Sequence, residues 1–456
     1  MSPPSASCAS PLCHMPSAFS SAASLWSLDA ILFVQQWSPH PWLDDAVVTL
    51  TLLGDPKLVF LYIAPLVYWC APQQIRRSLG IELLLGLLLS DVLNALLKWP
   101  MAGDRPYWFD ERVKEFSVTC ESGYGMPSGH MMVSSCVTML LLARVPPHRK
   151  SPAVALAGVF LFLLALSRMY VGAHFPEQVI AGAVCGLSLG YTIIHWRLEA
   201  RILAHLSSMQ KKASSPRAFV LHACALGAAA AVCILAIAVA EFAILSAFTD
   251  PLRSLQLARD GCEATRVAAA AVLRAAPEDS EAAAAAVEEQ ARFQRDRAPF
   301  MGICRDAGVA LGAALALALV QLDELQPSAA SPSPARTPPG ADDAQADAAE
   351  SVPLHSRRRS GRATALSSAV SALPVLLRGA FGLLEAFLFQ AALLWWLDSS
   401  VAAVWSQAAP QMSVYIKNFI LFGCIALNYL AFVPAMWKRI ALAAASKSTR
   451  WQAMQR

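Results

Sequence analysis

The chain has 456 residues, of which 56% are hydrophobic and only 15% charged, with a net charge of +4. Soluble domains carry roughly a quarter charged residues, so this composition excludes one, and so small a net charge gives no footprint for nucleic acid. The apolar residues come in long unbroken runs and the mean hydropathy is +0.46, the signature of an all-α, polytopic membrane protein.

In chain order, residues 1–24 are rich in Ser, Pro and Ala. They lack the basic start and apolar stretch of a cleavable signal and read as a disordered leader. Leu25 to Trp37 alternates apolar and polar residues and carries Trp26 and Trp37, which predicts an interfacial amphipathic helix; with the leader it makes a first unit, 1–40. About nine transmembrane helices follow. The first five runs are Asp45–Cys70, Leu79–Leu97, Gly129–Ala143, Ala153–Leu166 and Phe175–Ile194, and they form a core over 41–200. Ala218–Leu245 and Met301–Val320 lie in 201–325, separated by an Ala-, Glu- and Arg-rich insert from Thr249 to Pro299 that predicts soluble helices. Residues 326–363 read as a disordered linker, and Ser367–Leu397 and Ser413–Met436 lie in 364–456.

Lysine and arginine orient the spans. Basic residues cluster after the first span (Arg76, Arg77), the third (Arg144, Arg149, Lys150), the fifth (Arg197 to Arg217), the seventh (Arg357 to Arg359) and the ninth (Lys438, Arg439). These regions alternate, so they share the cytoplasmic face. The N-terminus and the loops after even-numbered spans then face the lumen, and the C-terminus faces the cytoplasm. The eleven cysteines show no metal-type spacing. Cys120 and Cys262 fall in hydrophilic stretches of the oxidising face, where sequence leaves a disulfide open.

Three short motifs carry the chemistry. They are Lys98 with Arg105-Pro106, Pro127-Ser128-Gly129-His130, and Ser167-Arg168 with His174. Singly, each has an ordinary explanation. Lys98 could be a snorkelling helix-end lysine, Ser128-Gly129 a helix start, Arg168 a stray charge and His174 a structural histidine. Parity, however, puts all of them at helix ends on the one face where the charge rule leaves few cations. Charges that break that rule together mark a site. Arginine grips phosphate oxygens with a planar fork and lysine adds a point charge. The amides of a helix start at Ser128 to His130 suit an anion. One histidine can attack phosphorus and a second can protonate the leaving oxygen. No metal or cofactor is needed.

This constellation resembles the type 2 phosphatidic acid phosphatase superfamily, which includes vanadium haloperoxidases. The resemblance implies His174 as nucleophile and His130 as general acid, with Lys98, Arg105, Ser128, Gly129 and Arg168 binding phosphate. Many members place Asp four residues after the nucleophile, where this chain has Gln178. Gln there, with Lys98-Trp99-Pro100, Arg105-Pro106-Tyr107-Trp108, Val118 to Gly123, and Asp45 and Asp55 flanking the first span, is similar to the glucose-6-phosphatase branch. That branch implies hydrolysis of glucose 6-phosphate or a related hexose phosphate at the lumenal face of the endoplasmic reticulum membrane, through a phosphohistidine, with Gln178 orienting His174. Its partners would be the sugar phosphate and membrane lipid, with a sugar-phosphate transporter as a candidate. The tail Trp451 to Arg456 lacks the dilysine-type retrieval signal common in the branch. Two other readings compete: a lipid- or polyprenyl-phosphate phosphatase of the same superfamily, against which the extra C-terminal spans argue, and a non-catalytic scaffold, against which the filled catalytic positions argue.

Overall fold

The computed structural model describes residues 23–36, 41–71, 73–246 apart from 111, 115 and 117–122, then 301–323 and 410–428, with short helical stretches between 384 and 397. Cys120, Cys262, the insert Thr249–Pro299, the linker and most of 364–456 lie outside the described residues. Among the described residues every regular element is a helix.

Helix α1 (Ala23–Gln35) buries Leu28, Ile31 and Val34 on one face and exposes Trp26 and Phe33. The buried face packs on Tyr107, Phe175 and Tyr170. Ser27 donates to Glu177 at 2.8 Å, and Gln35 donates to the carbonyls of Lys114 and Tyr170 at 2.9 and 2.8 Å. The interfacial helix expected here is therefore a strap tied to the loops beneath it.

The first apolar run is broken. Helix α2 (Pro41–Leu53) ends at Gly54, and the chain restarts through α3 (Pro56–Leu58), a π-helical turn (Val59–Ile63) and α4 (Ala64–Cys70), bent by 54° from α2. Pro56 cannot donate into a continuing helix, so the chain must restart there. Asp55 caps the restart, its Oδ1 accepting from the amides of Lys57 and Leu58 at 2.7 and 3.2 Å.

The helices that carry the motifs are α5 (Gln73–Met101), α7 (Gly129–Ala143), α8 (Pro147–Tyr170) and α9 (Pro176–His195), with the short α6 (Pro106–Phe109) in the loop after α5. Next come α10 (Leu198–Lys212), α11 (Pro216–Ser246), α12 (Met301–Asp323) and α13 (Pro410–Leu427). Among the described residues five helices are long and apolar enough to cross a membrane, and six if the bent pair counts as one span, so the expected count of about nine is not reached within them. Gly129–Ala143 is a shorter apolar helix of 15 residues. The expected fourth span extends to Tyr170, so Ser167 and Arg168 form its last turn. Leu156, Phe162, Ile180, Val184, Leu221 and Ile237 stay exposed on the outer faces of α8, α9 and α11, as lipid-facing positions would.

Helices α7 and α9 pack along their length. Gly182, Gly186 and Gly190 recur every fourth residue on α9 and face α7. A Cβ at Gly182 would collide with the Ser128 carbonyl, one at Gly186 with the Met132 carbonyl, and one at Gly190 would stand 3.0 Å from the Cys136 carbonyl. Small residues at this spacing let two backbones touch. At the far end of α7, Arg144 is bound to Glu82 and Ser78 of α5, which ties the third helix to the pair. Helices α12 and α13 meet in the same way, Gly308 and Gly312 lying on the backbone of Phe419 and Gly423.

Gly186→Leu should force α7 and α9 apart and lower stability by about 1–3 kcal/mol, seen as a reduced melting temperature of the detergent-solubilised protein. Gly158→Leu is the control, because a side chain at Gly158 meets nothing within 4 Å; it should melt like the wild type.

Candidate active site

All three motifs meet where α5 and α8 end and α7 and α9 begin. Helix α7 starts at Gly129 with Ser128 as N-cap, and His130 is its second residue. His174 lies two residues before α9, and its own amide donates to the Arg168 carbonyl at 3.3 Å. The Ser128 amide donates to the Gln178 carbonyl at 3.0 Å, which joins the two helix starts directly. That bond occupies one of the amides expected to face an anion. The first-turn amides from Gly129 onward remain directed along the axis of α7.

His174 is 1% exposed. Its Nδ1 lies 2.8 Å from the Gly125 carbonyl and 3.3 Å from Gln178 Oε1. Both neighbours are acceptors, so Nδ1 carries the proton and Nε2 presents its lone pair. The orientation of the Gln178 amide is fixed independently. Its Oε1 accepts from the Phe175 amide at 3.2 Å, and its Nε2 donates to the Asp104 carbonyl at 2.7 Å. A neutral amide suits this position because it must accept on one side and donate on the other. Glycines make room for it: a Cβ at Gly125 would strike the Gln178 amide, and one at Gly103 would stand 3.2 Å from its Nε2.

The cations surround this centre. Arg105 is fully buried; its Nε donates to the Gly123 carbonyl at 2.7 Å and its Nη1 to the Ala173 carbonyl at 3.2 Å, with Trp108 stacked 5.9 Å away. Lys98, in the last turn of α5, points to the same Gly123: a Cβ there would lie 3.5 Å from Nζ. Arg168 is 1% exposed and donates to Thr51 Oγ1 at 3.2 Å. The Ser128 hydroxyl is buried without a hydrogen-bond partner and does not cap its own helix. An N-cap serine normally spends its oxygen on the helix, so this hydroxyl is available to a ligand. His130 is 9% exposed, and its Nε2 lies 3.9 Å from Asp55 Oδ2, the oxygen not used in capping α3.

Residues not assigned to the site from sequence also shape it. Thr51 braces Arg168 and Ser167. Asn94 donates to the Pro127 carbonyl at 3.0 Å and sits 3.1 Å from where a Gly129 Cβ would be, holding the turn that opens α7. Its signal was present: Asp91, Asn94 and Lys98 share one face of α5 inside an apolar run. Trp99 and Trp108 pack edge-on against Tyr124 at 6.5 and 6.3 Å. On the rim, hydrogen bonds from exposed Arg112 hold the Asp110 carboxyl below its usual range.

Residues 79–202 match the PAP2 superfamily, and the three motifs and Gln178 all fall inside that match. The chain is 34% identical over 171 residues to glucose-6-phosphatase 3 of Bos taurus, covering 33% of this chain and 48% of that protein. It is 31% identical over 179 residues to glucose-6-phosphatase catalytic subunit 1 of Felis catus, again covering 33% and 48%. The chain thus spans about half the length of the curated relatives it matches. Among solved structures it is similar to a transmembrane PAP2-type phosphatidylglycerolphosphate phosphatase from Bacillus subtilis, with 25% identity over 40% of this chain and 90% of that one and a TM-score of 0.32. The motif resemblance is borne out to this extent: residues 79–202 match the PAP2 superfamily, and the curated relatives the chain is similar to are named as glucose-6-phosphatases.

Gln178→Glu should be damaging although it keeps size and shape. Its second carboxylate oxygen would face the Asp104 carbonyl, acceptor against acceptor. A loss of about 10–100-fold in kcat/KM on an aryl phosphate is expected, the cost of one unmade buried hydrogen bond. Wild-type activity in this variant would remove the amide from the positioning of His174.

Proposed function

We propose that the chain is a phosphoric monoester hydrolase that releases a free hexose and inorganic phosphate from a hexose 6-phosphate, through a phosphohistidine on His174. The observation that carries this reading is the fixed tautomer of His174. Its Nδ1 proton is held by the Gly125 carbonyl and Gln178, so Nε2 is the nucleophile, beside two buried arginines. The curated relatives, named as glucose-6-phosphatases, support the substrate class.

In the first step the Nε2 lone pair forms the N–P bond while the P–O bond to the sugar breaks in line. The leaving oxygen takes a proton from His130. Lys98, Arg105, Arg168, the Ser128 hydroxyl and the α7 amides hold the three equatorial oxygens as charge builds on them, and Arg105 and Arg168 are anchored before substrate arrives. In the second step water attacks the phosphohistidine, gives its proton to His130 and regenerates both histidines. Loop charge supports a site on the lumenal face of the endoplasmic reticulum membrane, with the N-terminus on the same side and the C-terminus in the cytoplasm. Such a site needs its charged substrate delivered across the membrane, so a sugar-phosphate transporter is the natural partner.

Rapid acid-free quenching with labelled substrate should trap acid-labile phosphate on the wild type and none on His174→Ala. Label recovered on that variant would exclude His174 as nucleophile.

The substrate and the orientation are tested together by competing glucose 6-phosphate with a short-chain phosphatidic acid at equal concentration, in sealed and in permeabilised microsomes. The sugar phosphate should be consumed faster, and only after permeabilisation when no transporter is present. Faster loss of the lipid would establish the lipid-phosphatase reading instead.

A further inference from the structure

Beside the phosphate cradle, α5, α12 and α13 enclose a second polar centre inside the apolar bundle. Arg305 of α12 is ion-paired with Asp91 of α5, and its Nε donates to Asp306 Oδ1 at 3.2 Å. Phe422 of α13 lies 5.5 Å from the guanidinium. Asp306 is 3% exposed, and its other oxygen, Oδ2, is buried with no hydrogen-bond partner. All four side chains line a cavity of about 20 Å³, together with Lys57 and Val133. That volume takes one water-sized or hydroxyl-sized group. Ionisable residues at membrane depth are costly and mark function by default.

Chain neighbours connect the cavity to the His130 side of the cradle. In-line transfer sets the attacking nitrogen and the leaving oxygen on opposite sides of phosphorus, so the sugar projects away from His174 and past His130. Asp55 stands 3.9 Å from His130 Nε2, and the chain runs from it directly into Pro56 and Lys57, which line the cavity. Val133 is one turn along α7 from His130, and Asp91 one turn along α5 from Asn94. Two acidic and two basic side chains meet there, so the lining carries no net sign. It suits a neutral group that both donates and accepts rather than a second anion. A hydroxyl does both: it can donate to Asp306 Oδ2 and accept from Arg305.

We propose that this cavity is a sugar-hydroxyl subsite, in which Asp306 and Arg305, held by Asp91, bind a hydroxyl of the leaving group and set the preference for polyol phosphates. The proposal rests on the hexose-phosphate reading above. A buried carboxylate oxygen satisfied only by substrate would reject an analogue lacking that hydroxyl, as sites built around a hydrogen bond do.

The test uses the full chain in detergent with a hexose 6-phosphate, its mono-deoxy analogues and phenyl phosphate. One deoxy analogue should lose at least about 10-fold in kcat/KM on the wild type. Asp306→Asn should lose at least about 10-fold on the hexose phosphate relative to phenyl phosphate, chiefly through KM. Equal losses on both substrates would make the cluster a structural ion pair and overturn the proposal. If Asp306→Asn does not accumulate, the deoxy series decides alone, and equal rates across it overturn the proposal. A wild type that hydrolyses phenyl phosphate but no hexose phosphate sinks the functional reading itself and the subsite with it.

Discussion

The close approach of α7 and α9 is the constraint on which the site depends. Two helices can start side by side only if nothing stands between their backbones, and Gly182, Gly186 and Gly190 keep that space clear. At the end nearest the site, the Ser128 carbonyl lies against Gly182 while the Ser128 amide bonds to the Gln178 carbonyl. Those two contacts fix the register of one helix start against the other. His130 is the second residue of α7 and His174 lies two residues before α9, so the spacing of the two histidines is set by side chains that are absent further along the stripe. Both positive helix ends then open on the same patch.

The loop between α5 and α7 turns that patch into a cradle. Its carbonyls point inward, and each has a named donor: Gly123 receives Arg105, Gly125 receives His174 and Asp104 receives Gln178. Buried carbonyls demand donors, and buried guanidinium groups demand acceptors, so loop and cradle satisfy each other. Side chains already immobilised in this way lose little further freedom when an anion is bound, which favours catalysis over mere binding. The strap α1 closes the arrangement from outside through Gln35 and Ser27.

Much of this was legible in the sequence because membrane chains make polar residues conspicuous. Lys98, Arg105, Arg168 and the two histidines stood out against apolar runs, and the alternation of basic loops put their helix ends together before any geometry was known. What escaped was of two kinds. Hydrogen bonds to distant backbone carbonyls, such as Gln178 to Asp104, leave no pattern, because every residue offers the same carbonyl. The break at Gly54-Asp55 was absorbed into a single span, since hydropathy averages over the Pro56 that interrupts it. Asn94 could have been found from the face it shares with Asp91 and Lys98, whereas nothing in the spacing of Thr51 distinguished a brace for Arg168 from an ordinary buried hydroxyl.

The division of labour along the chain follows from these contacts. The segment 79–202 that matches the superfamily contains every residue to which the proposed mechanism gives a role in holding or transferring the phosphoryl group. The groups that lean on it come from outside: Thr51 on Arg168 and Asp55 facing His130 from the N-terminal side, and Arg305 and Asp306 reaching Asp91 from α12. Phosphate is common to every substrate of such a core, so the core needs no knowledge of what the phosphate is attached to. In the proposed mechanism the leaving group departs on the His130 side, where the flanking helices would supply the walls. On the proposed reading, chemistry resides in the shared core and substrate choice in the helices packed around it. That is why α12 is locked to α5 by an ion pair and to α13 by glycine contacts at Gly308 and Gly312: a wall that selects a hydroxyl must be as rigidly placed as the histidines that break the bond beside it.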